Sequence, residues 1–376
     1  MAGFIFAVSK KNGLATIEKC FADGAYGTEF DHVKLPHSNA FEATLADYCS
    51  MREGDNVYFF SDRKIYGVGV LTNLITDCRM QNYPHSCDSS VLCNANSCLY
   101  IDNGNVPWVC FFQPYPVFFK DALDMDDVLL YKPETFNSLR TFWKKSFVKI
   151  DDAENQSLKE CFALNCKESS FFEFNGNRQK AMQTFLYKNK YDDYLLHPED
   201  CASACCKGTD QLDHEMALEA LVVERLTNTN GWPRQIERCD FVTHQLCASP
   251  FKPVDYMDRI DVFGYRVKNV GNSSVPYKYV VIELKKGTAH HSAIVQLAKY
   301  VDWVCQKYAY GNYGRIEAHL IAYDYDNDVF DDSRKPKIPE RFYNTGSHPI
   351  LERTWSDLSI WSYRFNGKSI DLVKAG

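Results

Sequence analysis

Residues 259–267 (RIDVFGYRV) and 277–285 (YKYVVIELK) decide how this chain reads. Both runs are rich in β-branched and aromatic residues, and Gly271, Asn272, Ser273 and Ser274 between them have the composition of a hairpin loop. Side chains alternate faces along a strand, so Glu283 and Lys285 point the same way. Pairing the two strands brings Asp261 beside Glu283. A helix is predicted over residues 292–308, where Gln296 and Tyr300 stand one turn apart on a shared face. Another is predicted over residues 213–228 (DHEMALEALVVERLTN), which carries Glu215, Glu219 and Glu224.

These residue types suit metal-assisted phosphodiester hydrolysis. Mg²⁺ takes oxygen ligands, keeps several waters and is typically held by one or two carboxylates plus substrate phosphate. Asp261 and Glu283 would supply the carboxylates, within about 4–5 Å of one another, and the Leu284 carbonyl a backbone oxygen. Lys285 would orient the attacking water or offset charge in the transition state. The plainer reading is a solvated strand face with one salt bridge. For Glu219 it is a helix surface shared with Glu215 and Glu224, and for His290 and His291 a helix start.

The full set resembles the PD-(D/E)xK nuclease superfamily, most closely the NucS-type endonuclease domain. Its pattern is an acid in a first helix, an R-I-D strand, an E-x-K strand and Q-x-x-x-Y on a helix. Glu219, Asp261, Glu283, Lys285, Gln296 and Tyr300 match in that order, across about residues 206–330. Shedu-type defence nucleases share the D…E-x-K…Q order, but the R-I-D context favours the NucS branch. The resemblance implies a DNA substrate and a Mg²⁺ cofactor for which Mn²⁺ can substitute. It gives catalytic roles to Asp261, Glu283, Lys285, Gln296 and Glu219, with the metal on Asp261, Glu283 and Leu284. Arg259, Lys286, Lys299 and Tyr300 would touch the nucleic acid.

Composition bounds the remainder. A chain of 376 residues, 45% hydrophobic and 14% aromatic, is a folded protein of about two domains. No apolar run approaches the ~20 residues that span a bilayer, and the start MAGFIFAVSKKNG places its lysines after a short apolar stretch, reversed from a signal peptide. A cytoplasmic protein without a membrane partner is expected. Fifteen cysteines lack the C-x-x-C pairs of common zinc sites, including the stretch Cys78, Cys87, Cys93, Cys98 and Cys110 and the group Cys201, Cys205 and Cys206. Buried reduced thiols are the default. The net charge of −7 argues against a general basic coat for nucleic acid and for a restricted groove.

The N-terminal part reads as short strands with turn punctuation, at residues 4–9, 56–61, 64–71 and 108–113. Gly54-Asp55 and residues 65–70 (IYGVGV) resemble the EVE and PUA-like domains. Such domains take up a flipped or modified base on aromatic side chains. Candidates are Tyr58, Phe60, Trp108, Phe112, Tyr115 and Phe118, with Asp62 or Gln113 for the base edge. Trp108 and Tyr115 stand out because Pro107, Pro114 and Pro116 suggest a stiff surface loop. For any single aromatic, barrel core is the plainer reading. Residues 136–147 and 153–165 have helical spacing, a helix is predicted over 177–188, and Asn366-Gly367 marks a late hairpin.

The expectation is an α+β chain of two domains. Residues 1–150 form a small PUA-like β-barrel reader, 151–205 a helical connector, and 206–376 a restriction-endonuclease-like α/β nuclease domain with a mixed sheet. The expected activity is Mg²⁺-dependent endonuclease cleavage of double-stranded DNA, plain, modified or mismatched, in restriction or anti-phage defence. Mismatch or branched-DNA repair and non-catalytic nucleic-acid binding are the alternatives. Cutting both strands usually takes two active sites, which makes a homodimer plausible.

Overall fold

The computed structural model describes residues 1–8, 13–28, 39–81, 108–141, 146–165, 170–171, 174, 176–188, 191–204, 206, 209–248, 258–271, 273–330, 342–344 and 352–375. The chain divides into two compact units, Met1–His197 and Pro198–Gly376.

In the first unit β1 (Gly3–Ala7) pairs parallel with β3 (Asn56–Ser61) and antiparallel with β7 (Phe147–Ile150). The ladder continues from β3 through β4 (Lys64–Leu71) and β6 (Trp108–Asp124) to β2 (Ala25–Thr28), while β5 (Arg79–Gln81) and β8 (Ser170–Phe171) also pair with β6. No pairing joins β2 to β7 among the described residues. The helices are α1 (Gly13–Asp23), α2 (Asn39–Cys49), α3 (Met125–Tyr131), α4 (Asp152–Asn165) and α5 (Asn177–Lys188). Leu158, Cys161 and Phe162 of α4 share one core with Ile5, Tyr58 and Val148, so this part of the 151–205 segment packs within the first unit.

Two local expectations fail here. Among the described residues of 136–147, the expected helix is not found: Leu139–Thr141 form a 3₁₀ turn, and Phe147 opens β7 opposite Phe6, so strand pairing overrides the helical spacing there. Trp108 is not on a surface loop. It is fully buried at the start of β6, with both β2 and β5 paired alongside and Tyr48 OH donating to its carbonyl at 3.2 Å. The proline signal misled because Pro114 and Pro116 lie inside β6, where register shifts against β4 between Gly67 and Gly69 let a strand carry them.

The second unit is built on a six-stranded mixed sheet, in the order β11 (Phe241–Cys247), β12 (Arg259–Val270), β13 (Ser273–Ala289), β14 (Ile316–Tyr325), β17 (Leu358–Phe365) and β18 (Ile370–Lys374). The pairings along β11–β12–β13 and between β17 and β18 are antiparallel, and those along β13–β14–β17 are parallel. Parallel pairing needs a crossover, supplied between β13 and β14 by α8 (His291–Lys307). Both α8 and α7 (Glu215–Asn228) pack on β13, whose residues Val280–Leu284 are all buried, as expected of a central strand. Gly271 closes the β12–β13 hairpin at φ +60°, a conformation open to glycine. The remaining elements are α6 (Pro198–Ala204), the short pair β9 (Gly231–Trp232) and β10 (Ile236–Glu237), and the pair β15 (Phe342–Asn344) and β16 (Glu352–Thr354).

Among the described residues no helix is long and apolar enough to cross a membrane. The ten described cysteines are free thiols, and all but Cys206 are buried. Cys87, Cys93, Cys98, Cys166 and Cys205 lie outside the described residues.

Candidate active site

The β12–β13 register sets the centre of the site. Val262 pairs with Ile282, so one step further along the same antiparallel ladder Asp261 faces Glu283. The two carboxyl groups are near enough for the charge of Glu283 to act on Asp261. Asp261 is also fixed from the backbone, since Leu284 N–H donates to its Oδ2 at 2.8 Å. Lys285, two residues beyond Glu283 on the same face, donates from Nζ to Glu283 Oε1 at 2.7 Å. The other oxygen of Glu283, Oε2, is buried and has no hydrogen-bond partner among the described residues.

Electrostatics follow from burial. Asp261 sits well above the ordinary carboxylate range because burial disfavours its charge, and Glu283 and then Glu219 add like-charge repulsion. Burial raises Glu283 too, although Lys285 works against the rise. Burial alone would lower Lys285, but its ion pair with Glu283 outweighs that and holds it above its usual range. The ammonium therefore stays charged.

Glu219, on α7, is buried behind this pair. His244 Nδ1 lies 2.5 Å from its Oε1, and Gln245 Nε2 donates to its Oε2 at 2.7 Å. Gln245 Nε2 also reaches Asp261 Oδ1 at 3.3 Å, so Glu219 connects to Asp261 through an amide. His244 and Gln245 belong to β11 and were missed in reading the sequence. The run FVTHQLC carries a strand-like alternation, but nothing in it marks two neighbouring polar side chains as turned toward one acid.

On α8, Gln296 Nε2 donates to Tyr300 OH at 2.7 Å, as their one-turn spacing implied. The Tyr300 phenol is pushed up chiefly by burial, with Glu283, Asp261 and Asp258 adding to the shift. Gln296 and Tyr300 line a cavity of about 610 Å³ with Ala248, Asp258, His291, Ser292, Val295 and Lys299. Asp261 and Glu283 are not in its lining, although the charges of both act on Tyr300, which is. Lys299 is exposed at this cavity and Arg259 is half-buried at the start of β12. Lys286 faces away from Glu283, donating from Nζ to the Asp213 carbonyl at 2.7 Å. Glu215 adds a further carboxylate 3.8 Å from Lys285 Nζ.

The residues present fit a hard divalent cation. Among the described residues no group of three or more His, Cys, Asp or Glu side chains is arranged to hold an ion unaided. Mg²⁺ asks for less, because one or two carboxylates with waters and substrate phosphate are enough. Asp261 and Glu283 provide that number, and the unpartnered Glu283 Oε2 is a buried acceptor without a donor, a costly state that a cation would relieve.

No known family profile matches the chain, and no curated protein matches it in sequence. Among solved structures it is similar to a repair endonuclease from Pyrococcus abyssi, at 24% identity and a TM-score of 0.19, over 28% of this chain and 38% of that one. The chain thus spans well under half the length of that endonuclease. It is also similar to Protein Atu2648 from Agrobacterium tumefaciens, at 14% identity and a TM-score of 0.25, over 45% of this chain and 99% of that one. Scores this low carry no argument about function, which rests on the site itself.

Proposed function

We propose that the chain is a Mg²⁺-dependent DNA endonuclease, with Mn²⁺ able to substitute and with the second unit carrying the chemistry. The supporting observation is the facing Asp261–Glu283 pair, with Lys285 Nζ 2.7 Å from Glu283 Oε1 and Glu283 Oε2 buried and unpartnered among the described residues. A bound Mg²⁺ would polarise the phosphoryl oxygen and lower the pKa of its bound water. Asp261 and Glu283 hold it, with the Leu284 carbonyl as a further oxygen. Lys285 turns its charged ammonium toward the scissile phosphate and offsets the negative charge that develops there. Gln296, Tyr300 and Lys299 position the strand, together with Arg259 and Lys286 at the margins. Convergence of Lys285 on Glu283 favours catalysis over mere nucleic-acid binding, because a reader has no need of a lysine on a buried acid.

The role proposed is restriction or defence against foreign DNA, in which a reader unit joined to a nuclease unit gates cutting, with repair of mismatched or branched DNA, the role the NucS-type resemblance in residues 206–330 implies, as the other use of the same chemistry. The test is cleavage of modified, unmodified, mismatched and single-stranded DNA by the full chain. Strand cleavage with Mg²⁺ or Mn²⁺ and none in EDTA is expected, and undiminished cleavage in EDTA would overturn the reading. Preference for modified or for mismatched duplex separates the two roles.

We further propose that the first unit selects the substrate. With Tyr58, Trp108 and Phe112 buried and Phe60 half-buried, the exposed aromatic candidate is Tyr115, with exposed Gln113 two residues before it on β6. The side chain of Phe118 lies outside the described residues. Stacking one base on one aromatic is worth about 1–3 kcal/mol, so Tyr115→Ala is expected to weaken binding of the preferred DNA roughly 5- to 150-fold. Unchanged binding in a filter or anisotropy assay would make this unit structural.

A further inference from the structure

We propose that Gln245 is the positioning residue that couples the helix acid Glu219 to the metal-binding acid Asp261, and that an unusual backbone conformation at Gln245 exists to aim it there. The proposal rests on the reading of Asp261 and Glu283 as cation ligands.

Three observations carry it. First, one amide nitrogen, Gln245 Nε2, lies 2.7 Å from Glu219 Oε2 and 3.3 Å from Asp261 Oδ1, so a single side chain bridges both acids. Second, His244 and Gln245 are consecutive on β11, yet both reach Glu219. Consecutive side chains of a regular strand point to opposite faces, so a regular β11 would not allow this. Third, Gln245 has φ +50°, in the left-handed region that a side-chain-bearing residue seldom adopts. The ladder with β12 is in register on both sides, at His244–Val262 and Leu246–Ile260, and is interrupted only at Gln245 opposite Asp261. A backbone conformation of this kind is unfavourable and persists where the surroundings over-determine it, often at functional sites.

The consequence is a division of labour. Glu219 has an oxygen engaged by His244 and the other by Gln245, so it acts on Asp261 through the amide rather than on the cation directly. Asp261 is then held at two points, by Leu284 N–H on one oxygen and by Gln245 on the other. The amide orientation follows from charge, because its carbonyl end would face carboxylate oxygens that only accept hydrogen bonds. Groups behind metal ligands matter for affinity, and their loss typically weakens metal binding or activity roughly 10–100-fold.

The backbone makes the test discriminating. Gln245→Gly removes the amide but suits φ +50°, so it should unfold no lower in temperature than the wild type while losing the bridge. Mn²⁺ binding, followed by titration calorimetry on the full-length protein without DNA, is expected to weaken roughly 10- to 100-fold in Gln245→Gly. Gln245→Asn, which also tolerates this conformation, should fold but fall short of both acids and behave like the glycine variant. A Gln245→Gly protein that binds Mn²⁺ as the wild type does would overturn the proposal. So would one that loses stability and affinity together while Gln245→Asn keeps both. A wild type that binds no Mn²⁺ removes the cation reading and this proposal with it. Weakened binding in the variants against a binding wild type supports the proposal even if no DNA is cut.

Discussion

Replacing Glu283 with alanine is expected to abolish DNA cleavage while leaving the second unit folded. Glu283 lies on the central strand, fully buried, with one oxygen on Lys285 and the other unpartnered. Its burial is unfavourable for a charged group, so truncation removes a desolvated acid along with its packing, and the net change in stability is expected to be small. The catalytic loss is not small. Losing a cation ligand should cost at least as much as losing a single preorganised transition-state donor, which is roughly 10²–10³-fold in rate. Lys285→Ala should lose a similar factor by a different route, because Glu283 would then keep its burial and lose its counter-charge. Single-turnover cleavage with saturating Mg²⁺, beside circular dichroism of each variant, checks both. Wild-type rates in Glu283→Ala would exclude this residue from the chemistry.

Asp261→Asn is expected to inactivate the protein and yet stabilise it when no divalent cation is present. Asp261 is raised by burial first and by Glu283 and Glu219 next, so the folded chain keeps a proton that the unfolded chain has released. For such a group the stabilising contribution is complete below the unfolded pKa of about 3.9 and is lost as pH rises through the folded value. Glu283, also raised, acts in the same direction. Lys285 is raised from an already basic value, so its contribution fades only at higher pH. In EDTA the wild type should therefore lose stability from mildly acid to neutral pH, by about 1.4 kcal/mol for each tenfold difference in acidity between folded and unfolded chain. Mg²⁺ should restore it, increasingly at higher pH, because cation binding needs the ionised carboxylates and releases their proton. Asparagine cannot ionise, so Asp261→Asn should show a flatter pH dependence, a higher Tm in EDTA and little response to Mg²⁺. Thermal unfolding across that range with EDTA or Mg²⁺ measures all three. A wild type whose stability in EDTA rises with pH as much as the variant's would contradict the assignment.

Much of this site was legible because a hairpin is a local object. Alternation in residues 259–267 and 277–285, with Gly271 at the turn, fixes which side chains share a face, and Asp261 then meets Glu283 by register alone. The i, i+4 pair Gln296 and Tyr300 was legible for the same reason. Gln245 was not, because its part depends on a left-handed backbone and on α7 arriving from elsewhere in the chain. Nor was the burial of Trp108, since prolines that usually mark loops sit here inside a long strand whose irregular pairing accommodates them. At Phe147 a helical rhythm lost to the pairing of that residue with Phe6, a contact between positions far apart in sequence.

The most direct measurement of the central claim is a crystal of the full-length protein soaked in Mn²⁺ and examined by anomalous diffraction. A peak bridging the carboxylates of Asp261 and Glu283, absent from Glu283→Gln crystals soaked in the same way, is the predicted result. A protein that cuts DNA with Mn²⁺ but places its anomalous peak away from both carboxylates would contradict the account.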